Sequence, residues 1–296
     1  MSMKKKKIKK SQIVLNLILI IMCIATLYPL LLCLGVSFSN EQDVLQYGYS
    51  LIPKHFDLSG YKYVFTNPKT VVDAYKVTII FSVVATLGML ICNSLMAYPL
   101  SRKNYRFRNG LNFYFYFTCL FGGGLVPTYI LYTQYLRLAD TIWVYIIPSL
   151  VSAWTIFYIR ASFQAIPEEI VESAVLDGAS EWRILFTFMI PLSKPVLATM
   201  ALSFFLGKWN DWMTSMLYIN DKYELISLQY LLQRIMLNMK LLQQDTNVSN
   251  MIDISEMPAE TARMAMMFVV AGPALVIFPF FQKYFVKGMV VGSVKG

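Results

Sequence analysis

The stretch from Glu168 to Pro195, EEIVESAVLDGASEWRILFTFMIPLSKP, places five acidic residues between two long apolar runs. Carboxylates grouped in this way suit acid–base catalysis, metal binding or recognition of a partner. The first two lack their usual companions. The single histidine, His55, lies far away in a loop, and no G-x-S-x-G or H-E-x-x-H pattern occurs. Cys23, Cys33, Cys92 and Cys119 all fall in apolar runs without C-x-x-C spacing, so they read as small hydrophobes and not as a disulfide or zinc framework. The phosphate-binding pattern G-x-x-x-x-G-K-[ST] is missing as well, so any process driven by ATP needs its ATPase on another chain. Recognition of a partner remains.

A second polar cluster, Lys208, Trp209, Asn210, Asp211 and Trp212, interrupts another apolar run. Lys208 and Asp211 are three apart, close enough on a helix to pair. Indole faces stack on sugar rings, and the Asn, Asp and Lys groups suit hydroxyls, so these five residues are the candidate lining of a solute pathway. The competing reading is an interfacial aromatic belt around a satisfied ion pair. Asn93, within an apolar run, reads as a helix–helix hydrogen bond.

The elements that must position these residues are membrane helices. The chain is 57% hydrophobic with a mean hydropathy of +0.53, outside the range of ordinary soluble proteins. A bilayer core of ~30 Å needs ~20 apolar residues in a helix. Six such spans are expected, at about 13–36, 77–99, 111–131, 141–160, 195–218 and 264–284, in one all-α transmembrane domain covering residues 1–296. The first apolar run is too long for the core of a signal peptide and no cleavage site follows it, so it reads as a retained span. The net charge of +9 owes much to the lysines of KKKKIKK just before that run, which points to a membrane surface and not to nucleic acid.

Most of the 26 Lys+Arg fall in residues 1–12, 101–110, 160–194 and 282–296, which the positive-inside rule places in the cytoplasm together with both termini. The acidic stretch, within a loop at about 161–194, is then cytoplasmic. The external segments are about 37–76 and 219–263, and the second holds an amphipathic helix over Leu225 to Leu242.

Locally the acidic stretch has helical grammar. Pro167 suits a first helical position, Glu168 and Glu169 suit the first turn, and Ile170, Val171, Ala174 and Val175 share a face. Asp177-Gly178 supplies a turn or C-cap before a second short helix that leads to Pro191 and Pro195. A bent helical pair of this kind can dock in a groove as a rigid unit.

ESAVLDGASEWRILFTFMIP resembles the EAA loop of binding-protein-dependent ABC importer permeases, E-A-A, three residues, G, nine residues, I-x-L-P. Glu172, Ser173 and Ala174 stand at the first positions, Gly178 follows at the right gap, and Phe188, Ile190 and Pro191 close it. Ser173, Phe188 and Ile190 are mild departures; the spacing is intact. GGGLVPTYIL, PLSKPVLATM, WNDW, ETARMAMMFVVAGPALVIFPFFQKYFVKG and the ending GSVKG extend the similarity to the carbohydrate-uptake, maltose-type permeases without extra N-terminal spans.

That resemblance implies a type I importer permease of the bacterial cell membrane. It carries a coupling helix whose Glu172, Ser173, Ala174, Asp177, Gly178 and Pro191 serve the ATPase contact, and a tail, Val294, Lys295 and Gly296, that reaches the ATPases. It also implies a second related permease, two ATPase subunits carrying ATP and magnesium, and an extracellular or lipid-anchored binding protein. No cofactor or metal is expected on this chain, and the solute is expected to be a di- to oligosaccharide, uronate-containing fragments included. The alternatives are an autonomous ion-coupled carrier, for which no inverted repeat is visible, and a membrane assembly subunit without transport.

Overall fold

The structure is a computed structural model that describes residues 10–244 and 258–293. The tail residues Val294, Lys295 and Gly296 lie outside the described residues. Among those described the architecture is all-helical; the strand-type pairing recorded is one bridge, Ser39 to Phe56. In chain order the helices are α1 (Lys10–Ser37), α2 (Glu41–Tyr47), α3 (Ser59–Val64), α4 (Pro68–Ser101), α5 (Arg108–Leu120), α6 (Leu125–Tyr135), α7 (Trp143–Ser149) and α8 (Ala153–Gln164). They continue as α9 (Glu168–Leu176), α10 (Glu181–Leu192), α11 (Lys194–Trp209), α12 (Met213–Tyr218), α13 (Leu228–Gln244) and α14 (Ala259–Ser293).

Ser11–Ser37, Pro68–Ser101 and Ala259–Ile277 are each long and apolar enough to cross a membrane, and three bent pairs bring the count to six if each pair is one span. The breaks have local causes. Between α5 and α6, bent by 111°, the run Gly122-Gly123-Gly124 has no side chains to support a helix, and Gly124 sits at φ 83. Between α10 and α11, bent by 77°, Pro191 and Pro195 remove backbone donors.

The α7–α8 break, 49°, is fastened by Asn93 of α4. Its amide nitrogen donates to the Leu150 carbonyl at 2.9 Å and its oxygen accepts from the Ser152 amide at 2.9 Å. The side chain is fully buried. Non-helical backbone inside a membrane must find partners in protein, and Asn93 supplies two. Asn93→Leu should cost about 1–3 kcal/mol, because both backbone groups lose their partner. The thermal midpoint of the purified protein measures this, and an unchanged midpoint would mean that the break is held by something else.

The chain gathers into two compact units, Met1–Pro68 with Ile235–Val269, and Lys69–Arg234 with Val270–Gly296. In the first, the buried carboxylate of Glu41 receives the Glu260 and Thr261 amides, each at 2.9 Å, and the Thr261 hydroxyl at 2.8 Å, so that α2 caps the start of α14. Tyr49 donates to Glu260 at 2.6 Å, and Phe38 stacks between Phe56 and Tyr61. Gly60 lets α3 approach the same turn: a Cβ there would lie 2.7 Å from the Thr261 carbonyl carbon. His55, read from sequence as a solvated loop residue, is exposed but pairs with Asp43 at 2.8 Å.

The second unit carries the larger described core, Ala97, Tyr98 and Leu100 of α4 with Ile156, Ile159 and Phe163 of α8 and Ile184, Leu185 and Met189 of α10. Outside such cores the helix surfaces are apolar: none of the most apolar part of α1 is buried, and Ile13, Leu17, Ile24 and Leu31 are all exposed, although its last residues, Val36 and Ser37, are buried. A hydrocarbon solvent accepts such a surface, which water would not. The four cysteines are free; Cys23 is exposed and the others half-buried, because their helices present them at that apolar surface and not in the interior.

Candidate functional site

The acidic stretch folds as two short helices joined at Gly178. Pro167 is the N-cap of α9 and not its first helical residue, with Glu168 and Glu169 opening the helix. At the far end the Gly178 amide donates to the Val175 carbonyl at 3.0 Å and the Ala179 amide to the Ala174 carbonyl at 2.9 Å. This pair of bonds closes a helix through a left-handed residue, and Gly178 occupies it at φ 75. Ser180 then caps α10, its hydroxyl accepting from the Arg183 amide at 3.3 Å.

One side of α9 is seated in the protein. Val171 and Ala174 are buried against the α4, α8 and α10 core. Ala174, expected to contact a partner, therefore anchors the helix from within. Val175, expected on the same face, is half exposed at the mouth of a cavity of about 640 Å3 lined by Tyr98, Arg102, Glu181 and Trp182. Inside that cavity the Tyr98 hydroxyl donates to Glu181, which ties α10 to α4.

At the start of α9, Lys103 reaches Glu168 at 2.6 Å. The hydrogen bond, then the charge attraction, holds the Glu168 carboxyl below its ordinary 4.5 and the Lys103 ammonium above its ordinary 10.5. The sign for Glu168 follows: the pairing is in place at neutral pH and is lost as pH falls below the ordinary carboxylate range. Both groups are solvent-exposed, so the pair orients α9 more than it stabilises the fold.

The outward side of α9 presents Glu169, Glu172, Ser173, Leu176, Asp177 and Gly178. Leu176 is 88% exposed, at the tip beside the left-handed turn. The motif spacing did not single it out, nor the exposed Trp182, which stacks on Phe186 with centroids 6.2 Å apart. The signal was present for Leu176, which falls ~200° around the helix from Ala174. Pro191 is not on this surface; it sits in the α10–α11 break, half-buried.

The cluster at residues 208–212 is held largely by bonds to nearby residues. Lys208 and Asp211 pair at 3.4 Å. Asp211 also accepts from the Thr214 amide at 3.0 Å and hydroxyl at 2.8 Å, which caps the start of α12. Trp209 is only 1% exposed, stacked on Phe205, and its indole donates to the Val270 carbonyl at 3.0 Å. It joins α11 to α14. The Asn210 amide folds back onto the Leu206 carbonyl at 2.8 Å, and Trp212 is half-buried. Helix α11 accordingly ends at Trp209, within the stretch 195–218 expected as one span, because these polar side chains bond the local backbone.

Comparison with known proteins covers nearly the whole chain. A family model described as a binding-protein-dependent transport system inner membrane component matches residues 6–291. Protein LplC of Bacillus subtilis is 37% identical over 272 residues, 92% of this chain and 90% of that protein. The polygalacturonan/rhamnogalacturonan transport system permease protein YtcP of the same organism is 34% identical over 278 residues, 94% and 96% of the two chains. Among solved structures, a chain of a bacterial ABC transporter involved in the import of the acidic polysaccharide alginate is 28% identical, with a TM-score of 0.80 over 95% of this chain and 100% of that one.

Proposed function

This chain belongs to the binding-protein-dependent transport system inner membrane components, and on that premise we propose that it is a permease subunit that brings uronate-containing oligosaccharides into the cell, driven by ATPases on separate chains. The observation that carries the coupling role is the seating of α9: Val171 and Ala174 lock it into the core while Glu172, Ser173, Leu176 and Asp177 face outward. A helix held this way moves with α4, α8 and α10 as one body. When two ATPase subunits, holding ATP and magnesium, close around such helices, the motion passes into the membrane helices as rigid-body rocking. A second related permease would complete the pathway, and a binding protein outside the cell would deliver the sugar. Both termini lie in the cytoplasm in this arrangement. The chain itself has no hydrolytic role.

The acidic nature of the solute is supported by the two comparisons whose names carry one, a polygalacturonan/rhamnogalacturonan permease and an alginate importer. A strain lacking the coding gene should lose uptake of labelled oligogalacturonates and keep uptake of glucose, with the intact gene restoring the first. Undiminished oligogalacturonate uptake, with loss of a neutral oligosaccharide instead, would move the assignment to the neutral class.

A further inference from the structure

The end of the second unit that carries α9 holds an arginine pair without carboxylate partners. Arg160, near the end of α8, donates from Nη1 to the Asn112 side chain of α5 at 2.7 Å. Asn112 lies four residues after Arg108 on that helix, so Arg108 shares its face, and Arg160 is burdened first by burial and then by the charge of Arg108. No ion pair is recorded for either arginine among the described residues, and the Nε atoms of both are buried without a hydrogen-bond acceptor. Two like charges brought together in this way are costly unless an anion joins them. Arg108 and Arg102 line a cavity of about 580 Å3. Its carboxylates are Glu168, already held by Lys103, and Glu169 at the solvent side.

The continuation of the arginine stripe is apolar. Spacing by four along α5 carries it from Arg108 and Asn112 to Tyr116 and Leu120, both exposed, and no residue of α5 is buried. A ligand that fits has a phosphate at one end and hydrocarbon behind it. Basic pockets between membrane helices bind anionic headgroups in this way. We propose that Arg108 and Arg160, with Asn112, form a binding site for an anionic phospholipid, its phosphodiester between the guanidinium groups and its acyl chains along Tyr116 and Leu120. The site adjoins the first turn of α9, so an occupied headgroup braces the helix that receives the coupling motion. The assignment rests on membrane embedding and not on the identity of the sugar.

The test uses the full chain purified in mild detergent, with native mass spectrometry after titration with dioleoylphosphatidylglycerol, dioleoylphosphatidylcholine, glycerol 1-phosphate or inorganic phosphate. Phosphatidylglycerol should be retained in preference to phosphatidylcholine. Arg108→Gln, which breaks no side-chain hydrogen bond recorded among the described residues, should weaken retention about fivefold, and the Arg108→Gln/Arg160→Gln double variant ~25-fold. Lys69→Gln/Lys222→Gln, an equal change of charge at exposed residues outside the cavity, should leave retention as it was. Equal retention of the two lipids, or equal loss in the lysine control, would overturn the site. Displacement of the lipid by glycerol 1-phosphate or inorganic phosphate at matching concentration would reassign it to a soluble phosphate.

Discussion

Gly178→Glu should reduce solute uptake to background while leaving the protein inserted and helical. Gly178 is held at φ 75, where an L-residue pays about 1–2 kcal/mol. A Cβ at this position would meet nothing within 4 Å, so the side chain adds no clash inside the protein. The cost falls on the turn that closes α9 and on whatever docks there. A graded series separates the two. Gly178→Asn tolerates the left-handed region and should stay near wild type, Gly178→Ala should lose part of the turn, and Gly178→Glu adds charge and bulk at the tip. Leu176→Asp sharpens the test, because a side chain 88% exposed contributes little to folding. Its stability should remain within about 0.5 kcal/mol of wild type while uptake and co-purification of the ATPase subunits are lost. If Gly178→Glu and Leu176→Asp both transported normally, α9 would not be the coupling element.

The second large effect is on folding. Glu41→Ala should destabilise the first unit by about 2–4 kcal/mol, since it strands the three donors at the start of α14 that now share one carboxylate. Glu41 is 5% exposed, so water does not readily replace the lost acceptor. Glu41→Gln should fall between, because its amide oxygen still accepts from one backbone amide while its NH2 faces a donor. Thermal unfolding in detergent orders the three proteins. A Glu41→Ala midpoint equal to wild type would show that α14 is capped by other means.

Much of the architecture was legible along the chain. Apolar runs of bilayer length mark the membrane class because lipid selects side chains by length and polarity alone. Where the helices break was not legible in the same way: 111–131 and 141–160 were each expected as one span and are bent pairs, while Pro273 and Pro279 lie inside the unbroken α14. Trp209 owes its place to distant parts of the chain. A tryptophan beside Lys208, Asn210 and Asp211 has the composition of a sugar platform, yet its ring packs on Phe205 and its NH is spent on Val270. No pattern within a few residues of Trp209 encodes a carbonyl 61 positions away.

The same distinction runs through the acidic stretch. By itself the sequence determined that a short acidic helix, a glycine bend and a second helix occur there, because caps, turns and the spacing of the motif are relations between residues a few positions apart. Only the tertiary structure decided which side of α9 is held and which is offered: Ala174 turns inward against α4 and α8, and Leu176 turns out. It also decided that Glu41 caps a helix beginning more than 200 residues later, and that Arg160 meets Asn112. Local grammar states what an element is. Which face of it is buried depends on apolar surface brought together from distant parts of the chain, and that is settled only when the chain packs.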